Sequence, residues 1–240
     1  MPIQRFTGRV SDTERVGAKF VHLHIELEQP DVIDYQAGQY VMVDVPGVEI
    51  KKHYSIASEP EMNHAIELLI DTSPTGPGTH YLVNLKPGEL MNFFAPAGHF
   101  IVDPLIADGP NPEKALAFVA SGSGIAPIRG MIRDLLQTKH DSRKIMLYWG
   151  LRFEEDICWL DEFREFEKSF PNFTLHMVLS KAGAEWPLCR GHVTDCLSIH
   201  PMLDSAGYYV CGNKQMITDT EALLLSKNVP KEHIHHEEFY

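Results

Sequence analysis

Apolar and polar positions alternate with period two through much of the first hundred residues, and beyond them short apolar runs alternate with segments of helical period. Residues 20–27, 39–45, 53–57 and 65–70 are rich in Val, Ile and Tyr. They are bounded by Gln29-Pro30, Pro46-Gly47, Glu59-Pro60 and the 73–78 stretch SPTGPG, a pattern that predicts short strands of a closed or sandwiched antiparallel sheet. The polar, proline-rich stretch 107–113 separates the two regimes and predicts a boundary between domains at 1–106 and 113–240. After it, 114–120, 145–149, 173–179 and 208–211 read as strands, and 127–140, 154–170 and 216–226 as helices. Ile128, Met131, Ile132, Leu135 and Leu136 share a face of the first helix, and Trp159, Phe163 and Phe166 a face of the second. Strands alternating with helices predict βαβ units and a parallel sheet.

Composition narrows the class. The 240 residues are 44% hydrophobic and 10% aromatic, enough apolar surface to fold without staples. No apolar run approaches the roughly 20 residues of a membrane span, and the opening MPIQRFTGRV lacks the apolar block of a signal peptide. A soluble cytoplasmic protein is expected, with no membrane partner. A net charge of −12 argues against nucleic acid as a partner. Cys158, Cys189, Cys196 and Cys211 contain no C-x-x-C pair and none of the close spacing of an iron–sulfur cluster or structural zinc. The thirteen histidines include His22 and His24 alternating along a strand, and His235-His236 pointing apart if extended. No metal site is expected.

Ligands of an open parallel sheet bind beyond the carboxyl ends of its strands. The first such end carries Ser121-Gly-Ser-Gly-Ile-Ala-Pro127, where Gly122 and Gly124 bare backbone N–H groups to a phosphate and Pro127 suits a helix start. Pro127 stands where G-x-G-x-x-G has its third glycine, and a plain strand–helix turn has the same sequence. Later strand ends offer Arg152, then Ser180 and Lys181, then Cys211 and Gly212. Arg152 stands where many dinucleotide folds carry an acid, and Ser180 with Lys181 suits a 2′-phosphate or, equally, a solvated loop. In the first half, Tyr54-Ser55-Ile56-Ala57-Ser58 follows Lys51-Lys52, and Gly76-Pro77-Gly78-Thr79 precedes a helix at 80–85 that would make an anion seat or a simple capped turn.

Over nearly its whole length the chain resembles the ferredoxin–NADP reductase family, including plant-type enzymes and the reductase components of bacterial oxygenases. The matching pieces, in order, are Tyr54–Ser58, Gly76-x-Gly78-Thr79 with Tyr81-Leu82 and Leu85-Lys86-Pro87-Gly88, and Pro96-x-Gly98-x-Phe100. After these come Gly122–Pro127, Tyr148-x-Gly150-x-Arg152, Cys211-Gly212 with Met216, and Glu238-Phe239-Tyr240. The resemblance implies an N-terminal antiparallel Greek-key β-barrel holding FAD and a C-terminal Rossmann-like α/β parallel sheet holding NADPH or NADH, with the flavin between them. It places Lys52, His53, Tyr54, Ser55 and Ile56 at the flavin, Ser55 near N5, and Gly76, Gly78 and Thr79 at the pyrophosphate. Gly122, Gly124, Pro127, Arg152, Ser180, Lys181, Cys211 and Gly212 would take the nicotinamide dinucleotide. Cys211 and Glu238 would border the nicotinamide, and Tyr240 would stack on the isoalloxazine and swing aside for hydride transfer. Ser55, Cys211, Glu238 and Tyr240 are thus the catalytic candidates.

The family usually has arginine at the position of Lys52, which keeps the charge without the bidentate fork and implies looser FAD. Trp186 ahead of Arg190-Gly191 also resembles NADH-using oxygenase reductases, so the choice of nucleotide stays open. The implied function is an FAD-dependent NAD(P)H reductase, monomeric, that feeds a separate ferredoxin, flavodoxin or oxygenase component. Arg129, Arg133, Lys139, Arg143 and Lys144 would either guide an acidic carrier or form a solvated face. The alternatives are a reductase of free flavin and an electron-transfer subunit of a larger complex.

Overall fold

The computed structural model describes residues 2–102 and 112–238, so most of the expected boundary at 107–113 lies outside the described residues, as does Tyr240. The chain forms two compact units, one of Met1–Ile101 with Ala126–Lys139, the other of Val102–Ile125 with His140–Tyr240.

The first unit is built on β1 (Gln4–Val16), β2 (Phe20–Gln29), β3 (Tyr40–Val43), β4 (Lys52–Ser55), β5 (Ala65–Asp71) and β6 (Leu90–Ala97). They pair antiparallel in the order β4-β3-β6-β1-β2-β5. The two outer strands meet: Ile56 bridges to Leu68, and the Ala57 N–H donates to the Glu67 carbonyl at 2.8 Å. That contact closes the sheet into a barrel filled by Phe6, Val10, Leu23, Ile25, Val41, Leu68 and Phe93. β1 and β6 are absent from the strands expected from pattern. The buried positions of β1 are only Phe6, Gly8 and Val10, and a Cβ at Gly8 would stand 2.5 Å from Ile25, so that inward position holds no side chain at all.

One helix, α1 (Pro77–Asn84), follows β5, and a second, α2 (Ile125–Arg133), runs on into a π-helical turn at Asp134–Thr138. Within the first unit, residues 126–139 sit on the barrel. Arg129 donates to the Glu67 carboxylate and to the Ala57 carbonyl, Arg133 Nε lies 2.6 Å from Glu59, and a Cβ on Gly130 would come within 2.5 Å of the Ser58 carbonyl. Arg129 is corrected as a surface residue, and three of the other basic residues have acidic partners. Arg129 is buried at 4% exposure, Arg133 is paired with Glu59, Lys139 with Asp134 and Arg143 with Asp141. Those four charges are paired at short range, while Lys144 is exposed.

The second unit is a parallel sheet of β7 (Ala115–Ser121), β8 (Lys144–Leu151), β9 (Phe173–Leu179), β10 (Cys189–Arg190), β11 (Ala206–Gly212) and β12 (Ile234–Glu238), in the order β10-β9-β8-β7-β11-β12. Its helices are α3 (Leu160–Ser169), α4 (Val193–Ile199) and α5 (Lys214–Ser226). The helix expected at 154–170 is two pieces: a 3₁₀ turn at Glu154–Asp156, then Trp159 at φ +52°, which ends any continuous helix before α3 begins. Sequence order runs outward from β7 in one direction through β8, β9 and β10, and resumes on its other side with β11. The crevice of this sheet therefore opens beyond the carboxyl ends of β7 and β11. At the opposite end, the buried Glu113 carboxylate accepts from Tyr209 Oη at 2.8 Å and pairs with His235 Nε2 at 2.7 Å, fastening β12 to β11. No described helix is long and apolar enough to cross a membrane.

Candidate functional sites

In the first unit the candidates converge on the start of α1. This helix begins at Pro77, earlier than expected, so Gly78 and Thr79 lie in its first turn rather than before it. No side chain caps that turn, which leaves its leading N–H groups directed at whatever anion arrives. Gly76 as N-cap has open space around it, whereas a Cβ on Gly78 would meet the Tyr54 hydroxyl at 2.6 Å and the Lys52 stem at 2.8 Å. Gly78 is thus required by close packing, and it sets Lys52 of β4 beside the uncapped turn. Tyr54 also hydrogen-bonds Thr79 through its side chain, while burial pushes its phenol pKa above the ordinary value. Ser55 is buried at the end of β4 opposite Tyr40, His53 stacks on Tyr40 with ring centroids 4.9 Å apart, and Ile56 is fully buried.

In the second unit β7 passes into a 3₁₀ turn at Gly122–Gly124 and then α2, whose third residue is Pro127. Gly122 has φ +56°, and a Cβ on Gly124 would stand 2.1 Å from the Cys211 carbonyl. Gly212 has φ +151°, and a Cβ there would lie 2.2 Å from Ser121 Oγ. Three glycines therefore let the ends of β7 and β11 close on each other with bare backbone at the crevice mouth. Trp149 Nε1 donates to the Gly122 carbonyl at 3.2 Å and steadies the turn. Cys211 is fully buried, and burial, with Glu237 adding, raises its thiol well above the usual range, so it stays S–H at neutral pH. Glu238 ends β12 in register with Gly212, 3.8 Å from Lys214 Nζ.

Beyond β8 and β9, Ser180 donates its N–H to the Leu151 carbonyl at 3.0 Å and Lys181 to the Arg152 carbonyl at 2.9 Å. Two exposed cations, Arg152 and Lys181, are thereby held on adjacent backbone, with the Arg152 guanidinium 5.3 Å over the Phe153 ring. Pattern reading passed over Asn213, which with Ser121 joins β7 to the start of α5. The signal was present in Asn213 as an N-cap, since its side chain accepts from the Met216 N–H. The fold also brings His176 to Cys196 and His200, which stand one helical turn apart and twenty or more residues further along the chain.

Residues 7–101 match the oxidoreductase FAD-binding domain family and residues 118–222 the oxidoreductase NAD-binding domain family. Ferredoxin–NADP reductase B of Sorangium cellulosum is 31% identical over 215 residues, covering 85% of each chain. The chain belongs to the ferredoxin–NADP reductase family. It is an NAD(P)H-dependent flavoprotein oxidoreductase whose cofactors are FAD and NAD(P)H, and the expected antiparallel barrel and parallel sheet are both borne out. A further relative, the phenol 2-monooxygenase reductase component of Pseudomonas sp. strain CF600, is 30% identical over 245 residues, covering all of this chain and 67% of the relative. Among solved structures, the Amycolatopsis cytochrome P450 reductase GcoB superposes with a TM-score of 0.90 at 25% identity, over 99% of this chain and 70% of that one. A ferredoxin NADP+ reductase from Neisseria gonorrhoeae shares the fold with a TM-score of 0.81 at 18% identity and full coverage of both chains.

Proposed function

We propose that this reductase draws electrons from NADPH in preference to NADH and delivers them to a separate redox protein: a ferredoxin, a flavodoxin or an oxygenase component. Delivery to a protein is supported by the two relatives above, one a ferredoxin reductase and the other an oxygenase reductase component. The nucleotide preference rests on one observation, the paired cations Arg152 and Lys181 beyond β8 and β9, with no carboxylate in that pairing to accept from a ribose diol.

The residues fit FAD on a feature of this chain: a glycine that close packing demands, under Tyr54 and Lys52, at an uncapped helix start. In this reading Gly78, Thr79 and the first-turn N–H groups of α1 hold the pyrophosphate. Lys52 supplies the neighbouring charge, and Gly76 leaves room for the approach. His53, Tyr54, Ser55 and Ile56 would carry the flavin edge, with Ser55 as the positioning group for its N5. Gly122, Gly124 and Pro127 receive the dinucleotide phosphates, Gly212 keeps the turn open, and Cys211, Glu238 and Tyr240 border the nicotinamide. Bound FAD supplies the conversion of a two-electron hydride into electrons that leave singly. The chain itself contributes position, charge and exclusion of water. The reading includes a monomeric, cytoplasmic enzyme.

The deciding experiment measures NADPH-driven cytochrome c reduction by FAD-loaded protein with and without added ferredoxin or flavodoxin. A carrier should raise the rate several-fold, and no change with any carrier would end the proposal. Flavin retained through gel filtration would separate this enzyme from a reductase of free flavin.

A further inference from the structure

The strand β9 places His176 two residues before Val178, so both point to the same sheet face, and β10 pairs Cys189 with Val178 in parallel register. His176 and Cys189 therefore share the face that α4 covers, and α4 carries Cys196 with His200 four residues on, one helical turn away on the same side. The side chains meet. One ring nitrogen of each histidine and Cys196 Sγ all lie within 4.8 Å of one another, and Cys189 Sγ is 2.7 Å from Cys196 Sγ. The His176 and His200 rings are 4.1 Å apart between centroids, and Tyr148 stacks on His176 at 4.6 Å, walling one side of the cluster.

The histidines differ in how far their donor capacity is spent. His176 Nε2 is buried with no hydrogen-bond partner among the described residues, although a buried polar atom ordinarily has one. His200 Nδ1 lies 2.7 Å from the Cys196 carbonyl. A carbonyl only accepts, so Nδ1 carries the proton, and since the same Nδ1 lies 3.7 Å from Cys196 Sγ, it ligates beside that sulfur only by giving up the carbonyl contact and passing its proton to Nε2. All four cysteines are free thiols.

We propose that His176, Cys189, Cys196 and His200 form a zinc site on the second unit, separate from the nucleotide crevice. Two thiolates and two imidazoles are the donor set of closed, four-coordinate structural zinc. A triangle of side 4.8 Å has a centre no more than about 2.8 Å from any corner, against zinc–ligand lengths of roughly 2.0–2.3 Å, so His176, Cys196 and His200 close with small side-chain shifts, while the two sulfurs, now 2.7 Å apart, must part to the roughly 3.7 Å of a tetrahedral site. On binding, the two thiols release their protons to solvent and both sulfurs bond the ion. The consequence is structural. The ion pins the two-residue strand β10 and the start of the chain after α4 to β9, and so braces residues 180–188 from both ends.

The test uses the full-length, FAD-loaded, thiol-reduced protein stripped with a chelator and titrated with Co2+ as a spectroscopic stand-in, then with Zn2+. One equivalent of Co2+ should give the visible bands of a tetrahedral site and a thiolate charge-transfer band in the near ultraviolet. Zn2+ should bleach both and raise the Tm. Cys196→Ser should weaken Co2+ binding by more than about 100-fold, beyond the roughly 10–100-fold that loss of a supporting contact costs. Its Tm in chelator should match that of stripped wild type, which shows that folding is intact, and Cys189→Ser serves as the second variant. The proposal is overturned if no charge-transfer band forms, if Cys196→Ser retains it, or if the reduced protein takes no Co2+ and instead joins Cys189 to Cys196 as a disulfide in air.

Discussion

Ser121 Oγ accepts two hydrogen bonds from Asn213, from the backbone N–H at 3.2 Å and from Nδ2 at 3.0 Å. The same Asn213 side chain accepts from the Met216 N–H at 3.0 Å, so one residue both starts α5 and ties it to the end of β7. Asn213→Ala removes a helix cap together with a strand-to-helix link. It should cost about 1–2 kcal/mol and lower the Tm by roughly 2–6 °C, read by circular dichroism. A Tm equal to wild type would mean that the link is made elsewhere.

Gly78→Ala sets a methyl group against the Tyr54 hydroxyl and the Lys52 stem. Overpacking of this kind costs about 1–3 kcal/mol, and here it displaces the residues proposed to hold the pyrophosphate. FAD affinity should fall on the order of 10–100-fold in a flavin fluorescence titration, while Gly76→Ala, which meets nothing, should fall far less.

Ser180→Ala combined with Lys181→Ala removes a hydroxyl and a charge from the segment that follows β9, hydrogen-bonded to the end of β8. Charge-assisted contacts are worth about 1.5–3 kcal/mol, so kcat/KM for NADPH should drop on the order of 10–100-fold with little change for NADH. Equal losses with both nucleotides would place the 2′-phosphate elsewhere.

Acid should weaken the first unit in two windows. Burial, helped by Arg129 and His24 and opposed by Glu67 and Glu14, lowers the His22 pKa below 6.5. The unfolded chain then takes up a proton that the folded chain refuses, and stability declines as pH falls below 6.5. Burial works against the Glu67 charge, but Arg129, His22 and Arg133 outweigh it and hold the pKa below 4.5, so stability present above 4.5 is lost as pH falls through the folded value. His176, held down to about 4 chiefly by burial, with His200 and Lys144 adding, contributes with the same sign in the second unit. The Tm of metal-free His22→Gln should therefore fall less steeply than wild type between pH 6.5 and 5. An unchanged slope would assign that window to other groups.

What the sequence discloses here depends on how local the cause is. The parallel sheet was legible because β7, β8 and β11 are buried on both faces and read as apolar runs, as does the Met177–Leu179 end of β9. β1 was not, because its inward row includes a glycine and its later half is exposed. Gly122, Gly124 and Gly212 stood out as glycines, but the Cys211 carbonyl that makes Gly124 obligatory becomes visible only once β11 lies beside β7. The cluster of His176, Cys196 and His200 depends on strand register and helix placement together, which pattern does not encode.

Residues 126–139 follow β7 in the chain yet belong to the barrel's unit, where Arg129 neutralises the buried Glu67. A gene cut in the linker would therefore yield a flavin half whose buried Glu67 has lost Arg129 and keeps only His22 at 3.6 Å, a defect worth up to about 3–5 kcal/mol. Fusion designs and module swaps that respect the apparent linker should give insoluble N-terminal fragments, and supplying residues 126–139 on a tether should rescue them. Each half has its own core, but the chain leaves the first unit, enters the second and returns for residues 126–139 before finishing in the second.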